Sequence, residues 1–283
     1  MVLLTAIVVV SLVGNPGDVA ESTVAVVGST WAVLFLIGVV QALSAKRAHV
    51  PPQRTEAAAD VLRRLDDDEY CVLLRPFDHE GKTIMPRKRW TGVLSRVQTL
   101  EQTMAQAVTS TFGIPTCAIV DQRVKAAPPG PVYLRAAHDE WQSVALKLLG
   151  GAKVIMVLLP EGPDDPEIRE GFGWEVEQIA NWGLQARVLM VLPPQRKGYG
   201  VVHEQACQVL ATLEGQPNPL VVEHYQQVMP RSTVLVKVWQ GDGLLTALIR
   251  QPIFYHLKSR WARATEFTYS RGVAELARAS PWP

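Results

Sequence analysis

Cysteine is scarce in this chain: three in 283 residues, Cys71, Cys117 and Cys207, far apart and without CxxC spacing. That excludes a disulfide framework and a thiolate zinc site. Three buried thiols are expected, because free cysteine packs as a small hydrophobe, and the pattern suits a reducing compartment. Net charge is nearly absent as well, with 28 basic against 27 acidic side chains. No basic stripe with interleaved aromatics occurs, so nucleic acid is not an expected partner. The motifs GxGxxG after a strand, GxxxxGK[ST], GxSxG and HExxH are all missing. Rossmann-type dinucleotide binding and P-loop chemistry therefore have no support. His79, His138, His203, His224 and His256 are scattered without ligand spacing, and no metal site is expected.

What the chain does have is a long apolar run. Val24 to Leu43 reads VAVVGSTWAVLFLIGVVQAL without one charge. About 20 residues at a rise of about 1.5 Å cross a hydrocarbon core of about 30 Å. Lys46 and Arg47 follow at once, then Arg54, Arg63 and Arg64, whereas Asp18 and Glu21 lie on the other side. The positive-inside rule puts everything after Ala45 in the cytoplasm. Val2 to Val13 is apolar but short, and Asn15-Pro16-Gly17 then makes a turn. Three readings fit it: the first arm of a helical hairpin, the core of a signal peptide, or a stretch whose true start lies upstream. The hairpin is preferred, since no Lys or Arg precedes the run and no cleavage site stands out. The expected locale is the cell (inner or plasma) membrane with the soluble part cytoplasmic, and the bilayer is an expected partner.

The remainder divides into a stiff linker and juxtamembrane helix (46–67), an α/β domain (68–243) and a C-terminal helical tail (244–283). Pro51-Pro52 stiffens the linker, and Glu56 to Leu65 is expected to run as an amphipathic helix along the membrane. Short apolar runs mark strands at Tyr70–Leu74, Thr116–Val120, Lys153–Leu159, Arg187–Leu192 and Thr233–Trp239, with Val132–Leu134 as a short extended piece. Runs with no polar alternation suit strands buried on both faces. Helical spacing covers 99–111, with Thr99 and Gln102 as its capping pair and Gly113 as its stop. Further helices are expected at 139–149 (capped by Asp139), 174–182 (ended by Gly183) and 203–213. Strands alternating with helices make βα units, hence a parallel, doubly wound α/β sheet of about five strands. In the tail, basic residues alternate with Ile253, Phe254, Leu257 and Trp261; this fits a helix on anionic lipid or one packed on its own domain.

Ligands in such sheets collect beyond the carboxyl ends of the strands. That rim holds Arg75 and Asp78, which suit a polar ligand or each other. Glu101 and Glu175 are each expected in the first turn of a helix, where the dipole favours a carboxylate with or without a ligand. Trp141 reads as packing. In Gly171-Phe172-Gly173-Trp174-Glu175-Val176-Glu177 an aromatic and a carboxylate open a helix after a buried strand. Glu175 there suits a base or a stabiliser of cationic charge.

The stretches YCVLLRPFD (70–78), AKVIMVLLP (152–160) and GFGWEVEQI (171–179) resemble TIR domains, and in particular bacterial membrane-tethered TIR-like proteins with an LRxF strand and a WE helix. The resemblance covers about residues 68 to 195. It implies a flavodoxin-like fold and a signalling module in bacterial stress or defence that self-associates or recruits a protein partner. It implies also an alternative, NAD or nucleotide glycohydrolysis, with NAD as substrate and no resident cofactor. Glu175 would then be the catalytic residue on the ribose, with Arg75, Phe77, Asp78, Glu101, Trp141, Trp174 and Glu177 around the ligand. A further alternative is nucleotide sensing without catalysis. Two departures matter. NAD-cleaving members carry the acid four residues after the Trp, which is Gln178 here, and their Ser- and Tyr-rich opening loop is replaced by Arg-Pro-Phe-Asp. One geometric observation separates scaffold from enzyme: an Arg75 paired with a nearby acid closes the rim, and an open cleft holding Arg75 and Glu175 favours chemistry.

Overall fold

The computed structural model describes residues 30–31, 33–36, 52–76, 98–160, 166–193, 199–215, 218–228, 234–241, 244–250, 266–279 and 282. The chain separates into two compact units, Met1–His49 with Arg89–Arg96, and Val50–Lys88 with Val97–Pro283. Of the first unit, the described residues 30–31 and 33–36 are helical. Trp31, Val33, Leu34, Phe35 and Leu36 are all exposed, from 49% for Leu34 to 73% for Phe35. At about 100° per residue these side chains point all round the helix. Among the described residues no helix is long and apolar enough to cross a membrane. The expected spans at 2–13 and 24–43 otherwise lie outside the described residues.

The second unit is mixed α/β. In chain order it runs β1 (Gln53–Arg54), β2 (Glu56–Ala57), α1 (Ala58–Leu62), β3 (Cys71–Leu74), α2 (Leu100–Phe112), β4 (Thr116–Asp121), β5 (Ala126–Ala127) and β6 (Val132–Ala136). It continues with α3 (Trp141–Gly151), β7 (Val154–Leu158), α4 (Pro166–Asn181), β8 (Val188–Val191), α5 (Tyr199–Leu213), α6 (Pro219–Val228), β9 (Leu235–Gly241), β10 (Leu244–Arg250) and α7 (Glu266–Ala279). One eight-stranded sheet has the order β10-β9-β8-β7-β3-β4-β6-β2, and β1 pairs with β5 apart from it. Along the sheet, pairing from β2 to β8 is parallel, and β9 pairs antiparallel with both β8 and β10.

Burial on both faces explains the unbroken apolar runs. Cys71 and Leu73 face one core while Val72 and Leu74 face the other, and all four are at most 2% exposed. The helices divide accordingly. Residues of α1, α3, α4 and α5 enter the core with Val72 and Leu74, and residues of α2 and α7 enter the opposite one. The Thr99 hydroxyl accepts a hydrogen bond from the Gln102 amide at 3.1 Å, starting α2 as its sequence predicts, and Gly113 ends it in the left-handed region at φ 73°.

Apart from the edge strands β6 and β2, the parallel run reads second, first, third, fourth: β4-β3-β7-β8. That is the flavodoxin-like order, with its switch point between β3 and β7. Several expectations need correction. The sheet has eight strands rather than about five, because β2 and β6 extend one edge and β10 the other. Residues 56–57 form a strand and only 58–62 a helix, whose Ala58 and Val61 are buried in the domain core. The tail opens as a strand at Leu244, and its helix, α7, lies in a core of the same unit. Asp139 caps nothing; the N-cap of α3 is Glu140, without a side-chain cap bond.

Candidate functional site

Arg75 follows β3 directly at the switch point, where the crossover through α2 leaves to one side and that through α3 to the other. Its guanidinium is not in water. The Arg75 Nη1 lies 3.0 Å from Glu101 Oε1, and the two side chains are 3% and 2% exposed. Glu101 stands in the first turn of α2. The hydroxyl of Tyr133 on β6 donates to Glu101 Oε2 at 3.4 Å, and the Arg75 Cζ lies 5.6 Å from the Tyr133 ring centroid. Arg75 is thus held by a carboxylate and by an aromatic face.

Glu175 approaches from the opposite helical layer, on α4. Its side chain is buried, and burial pushes the carboxyl up to about 8; the Arg75 charge opposes that rise. Glu101 therefore meets Arg75 as its ion-pair partner, while Glu175 holds its proton near neutral pH. The expected first-turn position of Glu175 is corrected, because α4 begins at Pro166, nine residues earlier. Proline suits the first helical position. The helix then runs on through Gly171 and Gly173, ahead of the start expected at 174. The helix dipole acts within the first turn, so it gives Glu175 no support and burial dominates.

Trp141 opens α3 and packs on Trp174 of α4, edge to face, with centroids 5.2 Å apart at 75°. A Cβ at Gly171 would stand 3.8 Å from the Trp141 ring, so the glycine lies close beneath that indole. The two indoles are half-buried and pack on each other and on the core. Glu177 is exposed. Two residues along a helix turn about 200°, so Glu177 leaves the side that Glu175 occupies and does not join this group. Phe77 and Asp78 lie outside the described residues. Among the described residues, no group of three or more His, Cys, Asp or Glu is arranged to hold a metal ion.

The structure thus brings Arg75, Glu101 and Glu175 together, and adds Tyr133, which sequence reasoning missed. Its signal was weak: a tyrosine in a five-residue run, Val132–Ala136, that read only as a short extended piece. Chemically the group holds one ion pair, one phenol and one protonated carboxyl. It is able to donate a proton near neutrality, or to lock the two helical layers together across the sheet end. Comparison with family models, with curated proteins and with solved structures finds no match to this chain.

Proposed function

We propose that this chain is a membrane-tethered, TIR-like signalling and interaction module. Its flavodoxin-like α/β domain lies on the cytoplasmic side of the cell membrane, and it works by associating with itself or with a protein partner. The observation that carries this reading is the Arg75–Glu101 ion pair, both side chains at most 3% exposed. A guanidinium already paired in the interior is not offered to a ligand, and the pair joins the β3 end to α2 as a scaffold would. The anchor draws support from Trp31, Val33, Leu34, Phe35 and Leu36, exposed round a helix as lipid-facing side chains are. The residues at 24–43 would span the bilayer and those at 2–13 would form the shorter arm of a hairpin.

The test uses the full-length chain in membranes. Chemical cross-linking should give oligomers in the bilayer, and incubation with NAD should release no nicotinamide. A chain recovered from membrane-containing lysate as a freely soluble monomer would overturn the proposal.

A second reading, glycohydrolysis of NAD or a related nucleotide, is favoured by one specific feature. Glu175 is a buried carboxyl raised to about 8 at the switch point, as befits a general acid at neutral pH. Nicotinamide release by the wild type that is lost in Glu175→Gln would establish this reading in place of the first.

A further inference from the structure

The two edges of the eight-stranded sheet are unlike. β2 closes one of them with two residues, Glu56 and Ala57. β10 closes the other with seven, Leu244–Arg250. Its run Leu244-Leu245-Thr246-Ala247-Leu248-Ile249 carries neither charge nor proline. Shortness, charge and proline are what keep a sheet edge from pairing with another chain, and β10 has none of them before Arg250. Among the described residues no strand pairs with its outer side. Its inner side pairs with β9 over its whole length, from Leu244 opposite Gly241 to Arg250 opposite Leu235. Only residues 242 and 243 connect the two strands. In so tight a hairpin the flanking pair, Gly241 and Leu244, exchanges both backbone hydrogen bonds, and such pairs alternate from there on. Leu244, Thr246, Leu248 and Arg250 thus direct their backbone groups to β9. Leu245, Ala247 and Ile249 direct theirs outward.

We infer that β10 is the contact through which the chain associates with itself: a second copy adds its own β10, antiparallel, about a two-fold axis at Thr246. The inference rests on the self-association proposed above and names its surface. A two-fold contact uses the same strand on both copies. Outward backbone groups must meet outward groups, so Leu245, Ala247 and Ile249 fall opposite odd-numbered positions of the second copy. The axis therefore passes through a residue rather than between two. Charge chooses which residue. Arg250 lies four residues after Thr246, and Asp242 four before it. An axis at Thr246 sets each Arg250 opposite the partner's Asp242, Leu245 opposite the partner's Ala247, and Thr246 opposite itself. Opposite charges and paired threonines both favour a cross-strand contact. An axis at Ala247 or Leu248 sets Arg250 opposite Leu244 or Thr246 and forgoes that ion pair. The added strand also gives partners to the outward N–H and C=O groups, as in other cases of strand addition at an edge.

Oxidative cross-linking of the full-length chain in membranes, with one cysteine added at a time, tests this. The native Cys71, Cys117 and Cys207 are free and buried, so the wild type should run as a monomer on a non-reducing gel. Thr246 meets itself in a non-hydrogen-bonded pair, whose Cα atoms stand about 4.5 Å apart, within reach of a disulfide. Thr246→Cys should therefore give a disulfide-linked dimer under mild oxidant. Leu248 falls opposite Leu244, about 13 Å from its own counterpart, so Leu248→Cys should give none. Adding Arg250→Asp to Thr246→Cys should cut the dimer about tenfold, because two like-charged pairs replace two opposite ones, and adding Asp242→Arg to both should restore it. Absence of the Thr246→Cys dimer, while amine cross-linking of the wild type still gives oligomers, would overturn the inference and leave self-association standing. A dimer from Leu248→Cys in place of Thr246→Cys would overturn it as well. No oligomer by either route would remove self-association itself, and this contact with it.

Discussion

At the level of single residues, the balance turns on which of two acids beside Arg75 keeps its proton. Glu101 meets Arg75 in an ion pair that is fully desolvated, so its worth lies in what happens when half is removed. Glu101→Leu or Arg75→Met leaves an uncompensated buried charge and should destabilise the domain by about 3–5 kcal/mol. The double variant Arg75→Met/Glu101→Leu should recover most of that loss, because an apolar pair of similar volume replaces a costly ionic one. Urea denaturation of the four chains closes the cycle, and additive losses would show that the pair is not the unit supposed here. Glu175 gives a different signature. Its folded value of about 8 lies above the ordinary 4.5, so the folded state binds the extra proton between those values. The stability it contributes is fully present below pH 4.5 and is lost as pH rises through 8, a fall of up to roughly 5 kcal/mol. Glu175→Gln mimics the protonated form, so its stability should stay flat over that window and exceed the wild type's at pH 8.5. Denaturation midpoints stepped from pH 5 to 8.5 read this directly, and a wild-type midpoint that rises over the range would mean Glu175 is ionised throughout.

Among the elements, the glycines of the helices separate two kinds of constraint. Gly173 in α4 has nothing within 4 Å of a Cβ, so Gly173→Ala should stabilise by about 0.5–1 kcal/mol through helix propensity alone. Gly151 ends α3 against Asp67 and the Tyr70 hydroxyl, where a Cβ would collide with both. Gly151→Ala should therefore destabilise, and thermal melts of the two variants should move in opposite directions. The same elements mark what the sequence revealed. The strands at β3, β4, β7, β8 and β9 were legible within a residue or two, because apolar runs such as Cys71–Leu74 are buried on both faces and little else produces them. Their parallel direction was legible too for β3, β4, β7 and β8, but not for β9, which carries the same kind of run and yet pairs antiparallel. Start signals decided the helices. Thr99 fixed α2, while Gly171 and Gly173 hid the first turns of α4 and with them the true depth of Glu175. The Arg75–Glu101 pair was hidden for a related reason: each acid and base was visible, but which of them meet depends on the sheet order. Tyr133 reaches its site through the pairing of β6 with β4, and a short extended run was its one local sign.

For the molecule as a whole, the decisive property is where the segment at 24–43 comes to rest. It carries no charge over about 20 residues, and its described part shows Trp31, Val33, Leu34, Phe35 and Leu36 to the surroundings rather than to a core. In water such a surface would drive aggregation; in a bilayer it is at home. An arginine at its centre raises the free energy of insertion by about 2.5–3.5 kcal/mol on insertion scales, a factor of roughly 70 to 400 at equilibrium. Leu34→Arg should therefore shift the full-length chain out of the carbonate-resistant membrane fraction, while Leu244→Arg, in β10 of the α/β unit, should not move it. Both fractions are read by immunoblot of the same lysate. Because the α/β unit folds around its own two cores, the Leu34→Arg chain should keep that unit intact and yet lose membrane-dependent cross-linking. If it stays in the membrane and cross-links as before, the segment is not what holds the protein there, and the signalling reading loses the surface on which its copies were to meet.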